Sequence, residues 1–211
     1  PVRTTYPTAP GVLVTNPQYV EAMQALLEEA DLAHWQVVAQ PRPDGTLSAV
    51  RCALAAVSTP AFNVNLGDNL FSWRRIPLPG QAFRAGAAVE LFTREVPAAD
   101  SERFAVVTIA GNAPEGEVVS VIEKPPAREP LANYRALAGL AYFKTDVFCK
   151  LAPQVGQSAR GEYEITSFFE RCLEAGQRVY ARAVTHDWID YGTPESYREA
   201  ERVLRARQEE R

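Results

Sequence analysis

The sequence predicts an α/β fold, in which a mixed sheet carries helices on both faces. Apolar runs typical of strands alternate with segments of helical periodicity along most of the chain. Polar residues and glycines follow several of these runs, as they do where strands end at a ligand crevice. With 211 residues, of which 46% are hydrophobic, the chain can bury a large core, and we expect a single domain over residues 1–211.

Strands and helices alternate regularly in the first half of the chain. Three apolar runs predict strands: Val12–Val14, Val37–Ala39 and Phe62–Leu66. Asn16 and Pro17 mark the start of the helix that follows the first strand. After the second strand, Asp44-Gly45 is a turn dipeptide, and Thr46 is predicted to cap the next helix.

The second half continues the pattern after a looser stretch. Further strands are predicted at Ala87–Phe92, Phe104–Ile109, Val118–Val121, Leu140–Phe143 and Trp188–Ile189. The loop Gly111–Gly116 is expected to connect two of them as a hairpin. Glu162 is predicted to open a helix with an apolar stripe that includes Phe168 and Phe169, and a last helix runs from Pro194 to about Arg207.

Composition excludes some classes of function. The formal net charge is -4 and basic residues are interleaved with acids, so we expect no binding to polymeric nucleic acid. No apolar run approaches the length of a membrane span, and the start has no signal-peptide pattern, which favours a cytoplasmic protein without a membrane partner. The three cysteines, Cys52, Cys149 and Cys172, lack metal-site spacing and are expected to be buried free thiols.

Two aspartates stand where apolar strands end. Asp68 follows the strand Phe62–Leu66, and Asp190 follows Trp188 and Ile189. Mg²⁺ takes oxygen ligands and is usually held by one or two carboxylates together with substrate phosphates, so the pair predicts a magnesium site and phosphoryl chemistry. The alternative is a plain strand-ending turn, because Gly, Asp and Asn are common turn residues.

Other strand ends also carry polar groups suited to a ligand. The Gln40 side chain offers an amide donor pair and an acceptor, which suits the edge of a pyrimidine base, and Gly45 lets backbone approach a ligand closely. Glu123-Lys124 follows an apolar strand, and a lysine there can neutralise a phosphate. An ordinary Pro-Asp-Gly turn and a solvated Glu-Lys pair remain the local alternatives.

Five segments together resemble the sugar-1-phosphate nucleotidyltransferases, and among them most closely the glucose-1-phosphate thymidylyltransferases. Two signatures are Gly67-Asp68-Asn69 and Trp188-Ile189-Asp190-Tyr191-Gly192-Thr193. Three more segments fall in the family's order: Gln40-Pro41-Arg42-Pro43-Asp44-Gly45-Thr46, Val121-Ile122-Glu123-Lys124-Pro125 and Arg160-Gly161-Glu162-Tyr163-Glu164-Ile165-Thr166. The resemblance extends from about Gly11 to about Leu204.

The resemblance implies a Rossmann-like, doubly wound fold and transfer of a nucleotide from dTTP or UTP to a sugar-1-phosphate, with glucose-1-phosphate as the expected sugar. It implies that Asp68 and Asp190 hold Mg²⁺ and act in catalysis with Lys124, and that Asp68 also belongs to the nucleotide site. Gln40 and Gly45 match the contacts to the base. Four residues match the contacts to the sugar phosphate: Glu123, Lys124, Gly139 and Glu162.

One family feature is not present in the sequence. Family members begin with a strand that leads into a Gly-x-Gly-Thr-Arg phosphate loop and a Pro-Lys pair, whereas only Pro1–Pro10 precedes the first predicted strand here. We therefore expect an N-terminally incomplete domain without the family's first strand. The chain is then a piece of a longer protein, which the lack of Met at position 1 favours, or a chain completed by a partner, or a relative that gave up catalysis.

Two other functions remain open at this stage. One is a non-catalytic subunit that binds a nucleotide sugar or a sugar phosphate and regulates a complete enzyme. The other is an unrelated strand-helix domain, in which Asp68 and Asp190 would lie far apart. The base, the sugar and the oligomeric state, including a homo-oligomer, are also left open.

Overall fold

The computed structural model describes residues 9–71, 77–126, 135–185 and 187–209, and it contains both strands and helices. Ten strands lie in this part of the chain: β1 (Val12–Thr15), β2 (Gln36–Ala39), β3 (Ala61–Asn65), β4 (Asn69–Phe71), β5 (Val89–Glu95), β6 (Val106–Ile109), β7 (Gly116–Ile122), β8 (Arg135–Lys144), β9 (Val179–Ala183) and β10 (Trp188–Asp190). The same part contains six α-helices: α1 (Val20–Glu29), α2 (Thr46–Ala53), α3 (Gln81–Arg84), α4 (Thr145–Leu151), α5 (Ile165–Glu174) and α6 (Pro194–Glu209). Most of the segment ahead of β1, residues 1–8, lies outside the described residues.

The sheet pairing is mixed, as predicted, but it is divided among three sheets. β1 pairs with β2 in parallel, and β4 pairs with β10 in antiparallel orientation. A six-stranded sheet has the order β3-β8-β5-β9-β7-β6, with parallel β5 and β9 and an antiparallel hairpin of β6 and β7. The expected hairpin is therefore confirmed. The strand predicted at Leu140–Phe143 is longer, since β8 runs from Arg135 to Lys144.

The chain divides into two compact units. The first comprises the described residues within Pro1–Phe62, Arg74–Pro79 and Phe143–Gln177, and the second those within Asn63–Trp73, Gly80–Tyr142 and Arg178–Arg211. Each unit contains several of the predicted site residues. Within the described ranges, no helix is long and apolar enough to span a membrane.

Aromatic rings form the core of the first unit. Phe143 stacks on Phe62 with 5.2 Å between ring centroids, and Phe148 packs on Phe168 at 4.6 Å. Phe168 and Phe169 are at most 1% exposed, which confirms the apolar stripe predicted for α5. Burial of rings of this size is a large apolar contribution to the stability of a fold.

Buried strands form the core of the second unit. The first five residues of β5 are buried, and β8 is buried over nearly its whole length. β9 lies beside β5 in the six-stranded sheet, with Val179 and Ala181 fully buried. Near-continuous apolar strands of this kind are typical of sheets that are covered on both faces.

Two helices begin at other residues than predicted. Gly45, not Thr46, is the N-terminal cap of α2, and its backbone has a φ of 114°, which favours glycine. α5 begins at Ile165, three residues after Glu162, and Glu164 occupies the cap position. Glu162 therefore lies in the loop ahead of the helix, because backbone pairing with the Asp44 turn holds this segment extended.

β3 is half-buried and lies at an end of the six-stranded sheet, and Asp68 on the turn after it is exposed. The expectation of three buried thiols is wrong for two of them. Only Cys172 is a buried thiol, and burial raises its pKa to about 12. Cys149 is exposed and Cys52 is half-buried, since their helix positions do not face the apolar core.

Candidate functional site

Asp68 lies in the tight turn between β3 and β4. The Asn69 amide donates a hydrogen bond to the Leu66 carbonyl at 3.2 Å, which closes the turn. The Leu66 amide donates to the Gly139 carbonyl at 2.8 Å, which fastens the turn to β8. Asp68 is thus an exposed residue on a turn whose backbone is hydrogen-bonded to β8.

The pairing of β4 with β10 brings Asp190 to Asp68. Asp190 lies opposite Asn69, and the amide of Tyr191 donates a hydrogen bond to the Asp68 carbonyl at 2.8 Å. A Cβ atom built on Gly192 would lie 3.2 Å from Asp190 Oδ1 and 3.6 Å from Asp68 Oδ2. Both carboxylates therefore face the same small space, which excludes the reading in which the two aspartates lie far apart.

Each carboxylate has one oxygen that is engaged and one that is available. Asp68 Oδ1 accepts a hydrogen bond from Asn69 Nδ2 at 2.6 Å, and Asp190 Oδ1 accepts one from the Gly192 amide at 3.0 Å. Within the described part of the chain, neither Oδ2 accepts a hydrogen bond. Two carboxylates with available oxygens fit a hard cation that takes its remaining ligands from water and phosphates. No group of three or more acidic, His or Cys side chains suited to a metal occurs among the described residues.

The Asn69 side chain supports this arrangement, a role that the sequence reasoning did not assign. Its Oδ1 accepts a hydrogen bond from the Trp188 indole at 2.6 Å, while its Nδ2 donates to Asp68. Gly139, with a φ of 69°, leaves the space that the Asn69 amide fills, because a Cβ there would lie 2.7 Å from Asn69 Cγ. The structure thus places Gly139 against Asn69, the residue that follows Asp68.

Tyr191 makes a second contact that was not predicted. Its hydroxyl donates a hydrogen bond to the Gly67 carbonyl, and its ring packs edge-on against Tyr197 with 6.2 Å between centroids. Burial raises the pKa of the Tyr191 hydroxyl, and the nearby Asp68 charge adds to this effect. The hydroxyl is therefore neutral and available as a donor.

Glu123 and Lys124 lie directly after β7, as predicted. Lys124 is exposed, and its φ of 44° is a left-handed conformation that non-glycine residues seldom adopt. Its amide donates a hydrogen bond to the Phe104 carbonyl at 3.2 Å, and the Phe104 ring packs on Trp188 at 5.3 Å. Phe104 therefore connects the Lys124 turn to β10, the strand that carries Asp190.

Gln40 lies at the end of β2 in the first unit and is 9% exposed. Its Nε2 donates to the Gly45 carbonyl at 3.1 Å and is 3.4 Å from Asp44 Oδ1. Within the described residues, its Oε1 accepts no hydrogen bond. The pKa of the Asp44 carboxyl is lowered, chiefly by a hydrogen bond from the Ser48 side chain. Asp44 is therefore a carboxylate, and it can orient the Gln40 amide.

Gly45 and the segment that carries Glu162 lie against each other. A Cβ on Gly45 would lie 2.4 Å from the Tyr163 carbonyl oxygen, so only glycine fits. The Tyr163 amide donates to the Asp44 carbonyl at 2.7 Å, and Glu162, the preceding residue, is 3.8 Å from the Arg160 guanidinium. Gln40, Gly45 and Glu162 are thus neighbours within the first unit, whereas the other five predicted site residues belong to the second.

The sequence matches known proteins over nearly its whole length. The family model described as "Nucleotidyl transferase" matches residues 8–207. A glucose-1-phosphate thymidylyltransferase of Mycobacterium tuberculosis is 30% identical over 92% of this chain, and one of Neisseria gonorrhoeae is 32% identical over 90%. The chain spans 65% and 64% of these two relatives' own lengths.

Solved structures show the same fold. A UDP-glucose pyrophosphorylase complexed with UDP-glucose is similar with a TM-score of 0.73 over 94% of this chain and 81% of its own, at 19% identity. A UTP-bound UGPase from Acinetobacter baumannii has a TM-score of 0.67 over 91% of this chain and 75% of its own, also at 19% identity. The fold is the Rossmann-like α/β fold that the sequence predicted, and the chain belongs to the nucleotidyl transferase family.

Proposed function

We propose that this chain carries out nucleotidyl transfer, in which dTTP or UTP and a sugar-1-phosphate, glucose-1-phosphate first of all, give a nucleotide sugar and pyrophosphate. The observation that carries the proposal is the pair of carboxylates of Asp68 and Asp190 that face one space. The names of the relatives, which include thymidylyltransferases and a uridylyltransferase of Mycoplasma pneumoniae, support this class of substrates.

Alignment and charge neutralisation account for the chemistry. Asp68 and Asp190 would hold Mg²⁺, which neutralises charge on the phosphate oxygens when it is bound. Lys124 would bind the phosphate of the sugar, and Glu123, Gly139 and Glu162 are proposed to position that substrate, so that its oxygen can attack the α-phosphorus. No side-chain nucleophile is needed for such a displacement.

The Lys124 backbone gives independent support to a role in binding. Left-handed backbone at a non-glycine residue costs free energy, and such residues are concentrated at functional sites. The amide hydrogen bond to Phe104 holds Lys124 in this conformation although its side chain is exposed.

The hydrogen bonds of Gln40 favour a thymine or uracil base. Since Nε2 donates to Gly45 and Asp44, the group left for a ligand is the acceptor Oε1. Thymine and uracil carry a ring N–H donor on the pairing edge, whereas cytosine has an acceptor at that position. We propose that Gln40 accepts this N–H and that the backbone of Gly45 lies against the base.

The test is release of pyrophosphate from dTTP or UTP in the presence of glucose-1-phosphate and Mg²⁺, together with calorimetric binding of dTDP-glucose. We expect the complete enzyme to show turnover, and we expect Asp68→Asn to lower that turnover by about a hundredfold or more, because a ligand to the metal is lost. Asp146→Asn, an exposed aspartate on α4, is the matched control and should leave turnover unchanged. Binding of dTDP-glucose without turnover would instead support a regulatory sugar-nucleotide sensor, and turnover that survives Asp68→Asn would remove Asp68 from the site.

A further inference from the structure

Tyr191 connects the two segments that carry the candidate metal ligands. It directly follows Asp190, and its amide donates a hydrogen bond to the Asp68 carbonyl at 2.8 Å. Its hydroxyl donates a hydrogen bond to the carbonyl of Gly67, the residue before Asp68. Tyr191 thus holds the peptide groups on both sides of the Asp68 Cα, and it is bonded directly to Asp190 in the chain.

We propose that Tyr191 is a positioning residue that fixes the separation of the Asp68 and Asp190 carboxylates and thereby sets the affinity of the site for a divalent cation. This role of Tyr191 rests on the proposed function, because it concerns the same pair of carboxylates. The Tyr191 hydroxyl points to a backbone carbonyl, so the residue acts through Asp68 and is not itself assigned as a ligand.

The turn that Tyr191 holds has little packing of its own. Gly67 and Asp68 are both exposed, and a Cβ on Gly67 would meet no heavy atom within 4 Å. Among the described residues, the β4–β10 ladder beside the turn has three residue pairs. Any residue other than proline at position 191 can donate the backbone hydrogen bond, but the second bond to Gly67 needs a side chain with the reach of tyrosine.

The ring of Tyr191 contacts the start of α6. It is partly buried and packs against Tyr197, which is itself 57% exposed and whose amide donates to the Thr193 carbonyl at 2.9 Å in the first turn of that helix. A tyrosine has only two side-chain torsions, so this contact restricts the positions that its hydroxyl can take. The hydroxyl therefore holds the Gly67 carbonyl at a defined place, as outer partners do for metal-binding side chains.

The test compares Tyr191→Phe with Tyr197→Phe, since each variant removes one hydroxyl from the same ring pair. Mn²⁺ alone is the probe, and its binding to the complete chain is titrated by electron paramagnetic resonance. We expect Tyr191→Phe to weaken Mn²⁺ binding about tenfold and Tyr197→Phe to leave it unchanged. In the turnover assay, Tyr191→Phe should need more Mg²⁺ for half-maximal rate but reach the wild-type rate at saturating Mg²⁺.

The variant Asp68→Asn distinguishes a failure of the metal site from a failure of the positioning role of Tyr191. If the wild-type chain does not bind Mn²⁺ in a way that Asp68→Asn weakens, the metal site itself is wrong, and the role of Tyr191 is overturned with it. If the wild-type chain binds Mn²⁺ through Asp68 but Tyr191→Phe binds it equally well, only the positioning role is overturned. Equal weakening by both tyrosine variants would show that the effect is not specific to the Tyr191 hydroxyl and would also overturn it. Thermal unfolding of each variant shows that the fold is retained.

Discussion

Lys124 combines an exposed charge with a strained backbone. Its φ of 44° is a conformation that glycine adopts without cost, whereas a residue with a Cβ does not. At this position we therefore expect stability and function to make opposite demands on the side chain.

Lys124→Gly should stabilise the fold relative to Lys124→Ala by about 1 kcal/mol, because glycine relieves the strain and alanine does not. Both variants should lose most of the turnover, since both lack the cation. Urea unfolding gives the stability and pyrophosphate release gives the turnover. Equal stability of the two variants would show that the backbone is not strained, and full turnover of either would exclude Lys124 from the site.

Gly139 leaves no room for a side chain next to Asn69. Gly139→Ala should lower the free energy of unfolding by about 2 kcal/mol more than Gly111→Ala, because only the first places a methyl group against a neighbour. The two glycines are matched in backbone, with φ values of 69° and 68°, and a Cβ on Gly111 would meet nothing within 4 Å. Urea unfolding of both variants is the measurement, and equal losses would contradict the predicted steric cost.

At the scale of elements, a partly buried ion pair joins the parallel strands β5 and β9. Glu90 on β5 is fully buried, and its carboxylate is 2.8 Å from the Arg182 guanidinium on β9. Both Glu90 oxygens also accept hydrogen bonds from the Gly80 amide, at 2.9 and 3.0 Å. Because Gly80 precedes α3, the pair fastens the entrance of that helix to the sheet.

Glu90→Ala should lower the free energy of unfolding by about 3 kcal/mol, since it leaves the Gly80 amide and the Arg182 charge without this buried partner. Glu117→Ala is the control, because Glu117 pairs with Arg178 at 2.6 Å but both side chains are largely exposed. Its removal should cost less than about 1 kcal/mol. Calorimetric unfolding of the two variants checks the contrast, and similar losses would mean that burial of Glu90 adds nothing to the pair.

At the scale of the whole molecule, the predicted site residues are distributed between two units of the chain. The base-side residues Gln40 and Gly45 belong to the first unit with Glu162, and the metal and phosphate residues belong to the second. Residues from distant parts of the sequence are neighbours within each unit. Position along the chain is therefore a poor guide to which of these residues act together.

The sequence by itself determined the alternation of strands and helices and the residues that stand at strand ends. The spacing of hydrophobic residues and the positions of glycine and proline indicate local backbone structure. For this reason β2, β5, the β6–β7 hairpin and α6 were predictable. The position of Asp68 and Asp190 after apolar runs belongs to the same local information.

Only the tertiary structure decided which strand ends meet and what holds them. No strand was predicted at β4, because three residues carry no clear period, and its pairing with β10 is what brings Asp68 to Asp190. The space that Gly139 leaves for Asn69, the reach of Tyr191 to Gly67 and the burial of Glu90 also depend on neighbours far away in sequence. Local propensity carries no information about such neighbours, because they are selected by packing and hydrogen bonding in the folded chain.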